Sequence, residues 1–168
     1  GIVRLKVKAD GRHTVRMYPS ELQGADSTAD QRSSGGPYIL SYTTRGDGTQ
    51  ECWQPRFTYY GFRYVEVEGA VPAGEPNPDG LPEITELMGL HTTNSAEAVG
   101  SFECSNPLFN RIYTLIDWAI RSNFSSVFTD CPHREKLGWL EQAHLIGPSM
   151  QYGYDISRAF PKIVRDMA

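Results

Sequence analysis

One short segment of the chain concentrates the side chains that could do chemistry. Residues 129–144, with the sequence TDCPHREKLGWLEQAH, combine carboxyl, imidazole, guanidinium and indole groups with a proline and a glycine. A solvated helix face would carry its charges without helix breakers or a tryptophan among them. Such groups can exchange protons or bind polar ligands. A junction between a loop and a helix is a common place both for active residues and for helix caps. The segment is therefore the first candidate for a functional site.

Each side chain of this segment also has a structural interpretation. Asp130 could cap a helix N-terminus, because a carboxylate there meets free N–H groups and the positive end of the helix dipole. Arg134 could form surface ion pairs with Glu135 or Glu141, which contribute about 0–1 kcal/mol to stability. Trp139 could belong to a hydrophobic core. Composition alone leaves these alternatives open.

Two other kinds of site are not favoured. His133 and His144 lie eleven residues apart, without the HExxH arrangement of a helix-borne zinc site. No base that would activate the Cys131 thiol as a nucleophile is identifiable. The spacing of Cys52, Cys104 and Cys131 gives neither a disulfide framework nor a CxxC metal site. The sequence therefore predicts neither a metal nor another cofactor.

The first hundred residues carry the pattern of β-structure. Apolar and polar side chains alternate with a period of two over residues 2–8 and again over 14–18, and Asp10-Gly11 between them predicts a hairpin. Residues 54–68, QPRFTYYGFRYVEVE, form the densest β segment. Its aromatic side chains are expected to fill the core of a β-sandwich rather than to form a sugar platform. A short strand or turn is predicted around residues 84–90.

Near Gly100 the hydrophobic period changes from two to 3.6 residues. This change predicts a boundary between a β-sandwich domain over residues 1–100 and a helical domain over residues 101–168. Ser105-Asn106-Pro107 predicts a helix start, with a capping side chain followed by proline in the first turn. The apolar residues that follow share one face of this helix: Leu108, Ile112, Leu115, Ile116, Ala119 and Ile120.

Two more helices are predicted in the last 32 residues or so of the chain, the first of which overlaps the candidate segment. The second is expected over about residues 137–150, and the third from an Asp155 cap to Met167, with a bend at Pro161. The chain is therefore predicted to be α+β, with the β-structure first and the helices last.

Composition and charge exclude several classes of function. Sixteen Lys and Arg face 20 Asp and Glu, for a net charge of −4 with the signs interspersed, so nucleic-acid binding is not expected. No apolar window approaches the roughly 18 residues of a membrane-spanning helix, and the first residues lack a signal-peptide layout. Turn chemistry explains the Arg45-Gly46-Asp47 triplet, so adhesion is not favoured. A soluble protein is expected, either secreted or periplasmic or cytoplasmic.

The candidate segment also resembles a known family. The run from Asp130 to Trp139, DCPHREKLGW, is similar to the signature of bacterial α-L-rhamnosidases of glycoside hydrolase family 78. Residues 105–112, SNPLFNRI, resemble the opening of that family's catalytic domain. Residues 55–64, PRFTYYGFRY, resemble the last strands of the β-sandwich that precedes it. Three matches in the family's order make this resemblance specific.

The resemblance implies an (α/α)6 barrel that removes terminal α-L-rhamnose from glycosides and polysaccharides with inversion at the anomeric carbon. By position in the motif, Glu135 would be the general acid. Asp130 and Arg134 would bind rhamnose hydroxyls, and Trp139 would cover the apolar face of the sugar. A carboxyl group beside a tryptophan in a closed pocket resists ionisation, so we expect the pKa of Glu135 to be raised.

The sequence departs from the family at one position. Where the family has an acidic residue shortly after the tryptophan, this chain has Glu141 followed by Gln142. The acidic role is therefore either taken by Glu141 or absent, and Glu141 is included among the expected substrate-binding residues. Inversion also needs a general base, which the resemblance places in a later part of the barrel.

The helical part is too short for a whole barrel. Twelve helices of about 11–12 residues with their loops need well over 150 residues, and residues 101–168 provide 68. We therefore expect a piece of a longer enzyme that is incomplete at both ends, lacks the general base, is inactive alone and exposes apolar helix faces. Its expected partners are the remaining segments of the same polypeptide and a rhamnose-containing glycoside, oligosaccharide or polysaccharide.

Two alternatives to a rhamnosidase stay open. One is a non-catalytic carbohydrate-binding or structural module of a larger polysaccharide-degrading protein. The other is a related barrel enzyme that acts on another sugar, because the acid chemistry alone does not determine which sugar is bound.

Overall fold

The chain forms two units, residues 1–91 and residues 92–168, in a computed structural model that describes residues 1–168. No helix has both the length and the apolar character needed to cross a membrane. The first unit contains nine strands: β1 (Ile2–Lys8), β2 (Thr14–Ser20), β3 (Leu22–Gln23), β4 (Ala29–Asp30), β5 (Leu40–Thr43), β6 (Gln50–Trp53), β7 (Tyr64–Glu68), β8 (Val71–Pro72) and β9 (Glu83–Leu90). The second contains three helices: α1 (Pro107–Asn123), α2 (Leu140–Gly153) and α3 (Ala159–Met167).

Two main sheets enclose the core of the first unit. One has the strand order β6-β1-β9-β8 and the other the order β5-β2-β7, while β3 and β4 form a short separate ribbon. Period-two alternation turns the apolar residues of β1, β2 and β5 inward, where they form one buried cluster: Val3, Leu5, Val7, Val15, Met17 and Leu40. Each such side chain contributes roughly 1.5–3 kcal/mol on burial, so this cluster is a principal source of the unit's stability.

The predicted hairpin of residues 2–8 and 14–18 is wrong. β1 pairs with β6 and β9, whereas β2 pairs with β5 and β7. Both hydrogen-bonding edges of β1 are therefore occupied by strands that are distant in the sequence. The chain crosses from one sheet to the other instead, and Thr44 fixes this crossover. Its Oγ1 accepts the N–H of His13 at 3.0 Å and donates to the carbonyl oxygen of Gly11 at 2.8 Å.

The dense aromatic segment is a strand only in its last part. β7 covers Tyr64–Glu68, and the residues before it are irregular, so the prediction of β-structure over 54–68 holds for five residues. Tyr60 and Phe62 pack against the core, as predicted for these aromatics, but Phe57 is fully exposed. The prediction around residues 84–90 is confirmed, because β9 lies between β1 and β8 in the larger sheet.

The first helix begins where the sequence predicts it. Asn106 precedes α1 in an extended conformation and its Oδ1 accepts the N–H of Leu108 at 3.0 Å, with Pro107 in the first turn. α2 begins at Leu140 rather than near residue 137. α3 begins at Ala159, because Asp155 accepts the N–H of Ser157 at 2.9 Å in a turn before the helix instead of capping it.

The helical unit has its own core. Its buried members are Phe124, Phe128, Met150 and Ile163. The extended residues 92–100 hydrogen-bond to this unit: the Asn94 N–H donates to the Phe124 carbonyl at 2.7 Å and the Val99 N–H to the Gly153 carbonyl at 2.9 Å. The units therefore divide before residue 92, although the hydrophobic period changes near Gly100.

The apolar face predicted for α1 is present but largely uncovered. No residue of α1 is buried. Four members of the predicted face are exposed: Leu108, Ile112, Leu115 and Ile116.

Candidate active site

Asp130 closes the loop that carries the candidate residues. Its Oδ1 accepts two backbone N–H groups, that of Cys131 at 2.9 Å and that of Leu137 at 3.0 Å. Its own N–H donates to the carbonyl oxygen of Leu137 at 3.1 Å. These bonds hold the two ends of residues 130–137 side by side. We call this segment the acid loop.

Two features of the backbone inside the acid loop set the position of Glu135. The Glu135 N–H donates to Sγ of Cys131 at 3.3 Å. Lys136 then adopts a φ of 52°, a left-handed conformation that is uncommon for a residue other than glycine. The Lys136 side chain is half-buried, and this burial lowers the pKa of its ammonium group.

The segment before the acid loop anchors it to the helical core. Phe128 is 2% exposed, and its ring lies 4.5 Å from that of Phe124 and 5.8 Å from that of Phe160. Thr129 is buried and its N–H donates to the Asn123 carbonyl at 2.9 Å. Asp130 thus follows two fixed residues, so its position is set by packing and not only by the loop.

The carboxyl groups of Asp130 and Glu135 are in hydrogen-bonding contact. Partial burial raises the pKa of Asp130, but hydrogen bonds from Glu135, from the Leu137 and Cys131 N–H groups and from Trp139 outweigh this and hold the pKa below its ordinary value. The hydrogen bond with Asp130, then the negative charge of Asp130, then burial raise the pKa of Glu135. The pair therefore has unequal acidity, with Glu135 the weaker acid.

Trp139 acts on this pair in a way that the sequence did not predict. The pKa of Glu135 is raised, as expected, but chiefly by the Asp130 carboxylate, since Glu135 itself is exposed. The indole of Trp139, which is 48% exposed, offers its N–H to both carboxyl groups and lowers both pKa values. The expected closed pocket beside the indole is thus not what raises the pKa of Glu135.

The remaining predicted residues lie around this pair. Arg134 directly precedes Glu135, and its positive charge lowers the pKa of that carboxyl group. Glu141 lies exposed in the first turn of α2, where a carboxylate interacts favourably with the helix dipole. No group of three or more His, Cys, Asp or Glu side chains is arranged to hold a metal ion.

A small cavity adjoins Trp139 on the side of the helical core. Its volume is about 140 Å³, and it is lined mostly by apolar side chains, among them Phe128, Ala143 and Ile163. Trp139 therefore joins the acid loop to the core at one edge while half of its surface remains accessible. An accessible indole face next to two carboxyl groups suits a ligand with both C–H and hydroxyl surfaces, as a sugar has.

Sequence reasoning missed the backbone groups that shape the site. An Asp next to a Cys-Pro pair signals a side chain that bonds to nearby N–H groups. Nothing in the sequence indicates that the N–H of Leu137 is one of them, because the closure depends on the left-handed conformation of Lys136.

The sequence analysis also did not single out a second polar cluster. The Tyr154 hydroxyl donates to the Asp117 carboxylate, and Asp117 Oδ2 lies 3.7 Å from Arg121 Nη1. Burial and this hydrogen bond raise the pKa of Tyr154 to about 12. These residues line a cavity of about 470 Å³ beside residues 93–100. The four-residue spacing of Asp117 and Arg121 was the available signal.

Comparison with known proteins gives matches along the whole chain. Residues 1–87 match a family model described as the bacterial alpha-L-rhamnosidase concanavalin-like domain. Residues 97–168 match one described as the bacterial alpha-L-rhamnosidase 6 hairpin glycosidase domain. An alpha-L-rhamnosidase of Streptomyces avermitilis is 36% identical over 171 residues, which cover 99% of this chain and 16% of that protein. One of Formosa agariphila is 36% identical over 135 residues, 80% of this chain and 13% of that protein.

Solved structures of similar proteins agree. The alpha-L-rhamnosidase from Dictyoglumus thermophilum matches 99% of this chain and 18% of its own with a TM-score of 0.79 and 31% identity. The Streptomyces avermitilis alpha-L-rhamnosidase complexed with L-rhamnose matches 96% of this chain and 15% of its own with a TM-score of 0.73 and 36% identity. The chain thus spans less than a fifth of the length of each of these relatives.

Proposed function

Because this chain belongs to the bacterial α-L-rhamnosidase family, we propose that it is part of a glycoside hydrolase that cleaves terminal α-L-rhamnose from glycosides or polysaccharides. Two family domains follow each other along the chain, and the acid loop lies in the glycosidase domain. The observation that carries the proposal is the hydrogen-bonding contact of Glu135 with Asp130, which raises the pKa of Glu135 and so favours its acid form.

In this proposal Glu135 is the general acid. It gives its proton to the glycosidic oxygen while the bond from that oxygen to the anomeric carbon breaks. The Glu135 carboxylate that remains would be repelled by Asp130, but the Arg134 charge and the Trp139 N–H stabilise it. The site therefore holds groups that favour the acid before transfer and others that favour its conjugate base afterwards.

The sugar would lie against the same loop. We assign Asp130, Arg134 and Trp139 to the rhamnose subsite, with the half-exposed indole against the C–H face of the deoxysugar. Glu141, exposed at the start of α2, is the acidic group next along the chain and is assigned to the edge of this subsite.

Inversion would require a base outside the acid loop. An inverting enzyme holds its two carboxyl groups about 6.5–9.5 Å apart so that a water molecule fits between the base and the sugar. Asp130 contacts Glu135 directly and leaves no such space, so Asp130 is not the base. We propose that another segment of the enzyme supplies it, and we expect the isolated 168-residue chain to be inactive.

The test is Glu135→Gln in the full-length enzyme with the α-L-rhamnoside of a weakly acidic phenol as substrate, because such a leaving group needs a proton to depart. The introduced amide has nearly the size of the carboxyl group and still forms hydrogen bonds, but it carries no acidic proton. We expect kcat to fall by about 10²–10⁴-fold with little change in the Kd for rhamnose. Glu103→Gln is the matched control, because Glu103 is an exposed glutamate in a different part of the same unit. Hydrolysis by the Glu135→Gln enzyme at the rate of this control would refute the proposal.

A further inference from the structure

We infer that Asp130 is a positioning residue that assigns the proton of the carboxyl pair to Glu135, in addition to any contact that it makes with the sugar. The inference rests on the proposed role of Glu135 as the acid, and it adds the means by which that acid is kept protonated.

The backbone groups around Asp130 determine which of the two carboxyl groups is ionised. A backbone N–H can only donate, so the N–H groups of Cys131 and Leu137, 2.9 and 3.0 Å from Oδ1, favour the ionised form of Asp130. The Leu137 N–H is also held beside Asp130 by a second bond, from the Asp130 N–H to the Leu137 carbonyl oxygen at 3.1 Å.

The groups that face Glu135 are fewer and less fixed. They are the Arg134 guanidinium, the indole N–H of Trp139 and Asp130 itself. Arg134 is an exposed side chain, and solvent weakens the effect of its charge. The Trp139 N–H serves both carboxyl groups, so it distinguishes little between them. The other titratable groups of the loop are the His133 imidazole, the Lys136 ammonium and the Cys131 thiol. The last two interact with each other.

Contact between the two carboxyl groups requires one shared proton, because two carboxylates have no donor between them. With Asp130 held ionised by the backbone, this proton belongs to Glu135. The lowered pKa of Asp130 and the raised pKa of Glu135 agree with this assignment.

Asp130→Asn separates the proposed role from a purely structural one. The asparagine Oδ1 can accept the same two backbone N–H groups, so the loop stays closed. Its amide group, however, donates a hydrogen bond and carries no charge, so the Glu135 carboxylate loses a repelling neighbour and gains a donor. The pKa of Glu135 should therefore fall from its raised value to or below the ordinary value of a glutamate.

The experiment is a carboxyl ¹³C NMR titration of this chain labelled at glutamate and aspartate, with Glu135 and Asp130 assigned by the loss of their signals in Glu135→Gln and Asp130→Asn. In the unsubstituted chain we expect Asp130 to titrate below Glu135, and in Asp130→Asn we expect the midpoint of Glu135 to move down. Glu103→Gln removes one charge elsewhere in the unit and should leave that midpoint in place.

An unchanged Glu135 midpoint in Asp130→Asn would overturn the inference. If that variant does not fold, the order of titration in the unsubstituted chain decides, and an Asp130 midpoint above that of Glu135 overturns the inference. In the full-length enzyme, Asp130→Asn should also move the alkaline limb of the kcat/KM profile to lower pH. If the unsubstituted full-length enzyme does not hydrolyse rhamnosides, the proposed function is refuted and the titration result still stands. If that enzyme hydrolyses rhamnosides but the Glu135 midpoint is unchanged in Asp130→Asn, only the inference is refuted.

Discussion

Replacing Phe128 by alanine should remove a large part of the stability of the unit that carries the acid loop. Phe128 is 2% exposed and contacts the rings of Phe124 and Phe160. A change from Phe to Ala in a packed core costs about 3–5 kcal/mol. The roughly 77 residues of this unit are expected to be stable by about 4–12 kcal/mol. The substitution therefore removes between about a quarter and all of the free energy of unfolding of this unit.

Two further variants separate the ring contacts from the loss of apolar volume. Phe128→Leu keeps an apolar side chain but loses two aromatic contacts, each worth about 0.5–1.5 kcal/mol, so we expect a loss of about 1–3 kcal/mol. Phe109→Ala is the matched control, because Phe109 lies in the same unit and is 54% exposed. A surface substitution of this kind changes stability by about 0.5 kcal/mol or less.

The assay is urea unfolding followed by tryptophan fluorescence in a Trp53→Phe background. Trp118 and Trp139 both lie in the helical unit, so the remaining signal reports on that unit alone. The expected order of midpoints is Phe109→Ala, then Phe128→Leu, then Phe128→Ala, from high to low. Equal midpoints for Phe109→Ala and Phe128→Ala would show that Phe128 does not anchor the acid loop to the core.

Two other predictions concern buried polar groups. Glu51 is 3% exposed and accepts hydrogen bonds from the Tyr42 hydroxyl at 2.5 Å and the Arg45 N–H at 2.9 Å. Glu51→Ala should therefore lower the free energy of unfolding of the first unit by about 2–6 kcal/mol, and Glu51→Gln should lower it less, as measured by urea unfolding. Equal losses for the two variants would contradict this. The hydrogen bond to the Glu51 carboxylate raises the pKa of Tyr42 to about 12. Burial raises the pKa of Tyr154 to about 12. The neutral hydroxyls therefore stabilise the fold fully below pH 10 and lose this effect as the pH rises through about 12. An absorbance titration should show two tyrosines ionising near pH 12, one of which Tyr154→Phe removes, and ionisation of all tyrosines near pH 10 would refute the assignment.

Local chemistry made the start of α1 predictable. The Asn106 cap and Pro107 act within one helical turn, so the residues themselves specify the boundary. The alternation in β1 likewise indicates a strand with one buried face. The partner of β1 was not predictable in the same way, because pairing with β9 depends on residues about 80 positions away. A turn signal at Asp10-Gly11 therefore gave the wrong partner.

In the candidate site, too, some features were predictable from the sequence and others were not. The motif identified Asp130, Glu135 and Trp139, and these three side chains do come together. The cause of the raised pKa of Glu135 was not predictable, because it depends on the closure of the acid loop through the Leu137 N–H and the left-handed Lys136. A tryptophan in the sequence suggests an apolar neighbour, whereas here the indole N–H interacts with the carboxyl groups.

The leaving-group dependence of hydrolysis tests most directly whether Glu135 supplies the proton. A strongly acidic phenol departs without protonation, whereas a weakly acidic phenol needs the acid. In the full-length Glu135→Gln enzyme we therefore predict a nearly normal rate for the α-L-rhamnoside of the strongly acidic phenol. For the rhamnoside of the weakly acidic phenol we predict a loss of about 10²–10⁴-fold. Equal losses for both substrates would contradict the assignment of Glu135 as the general acid.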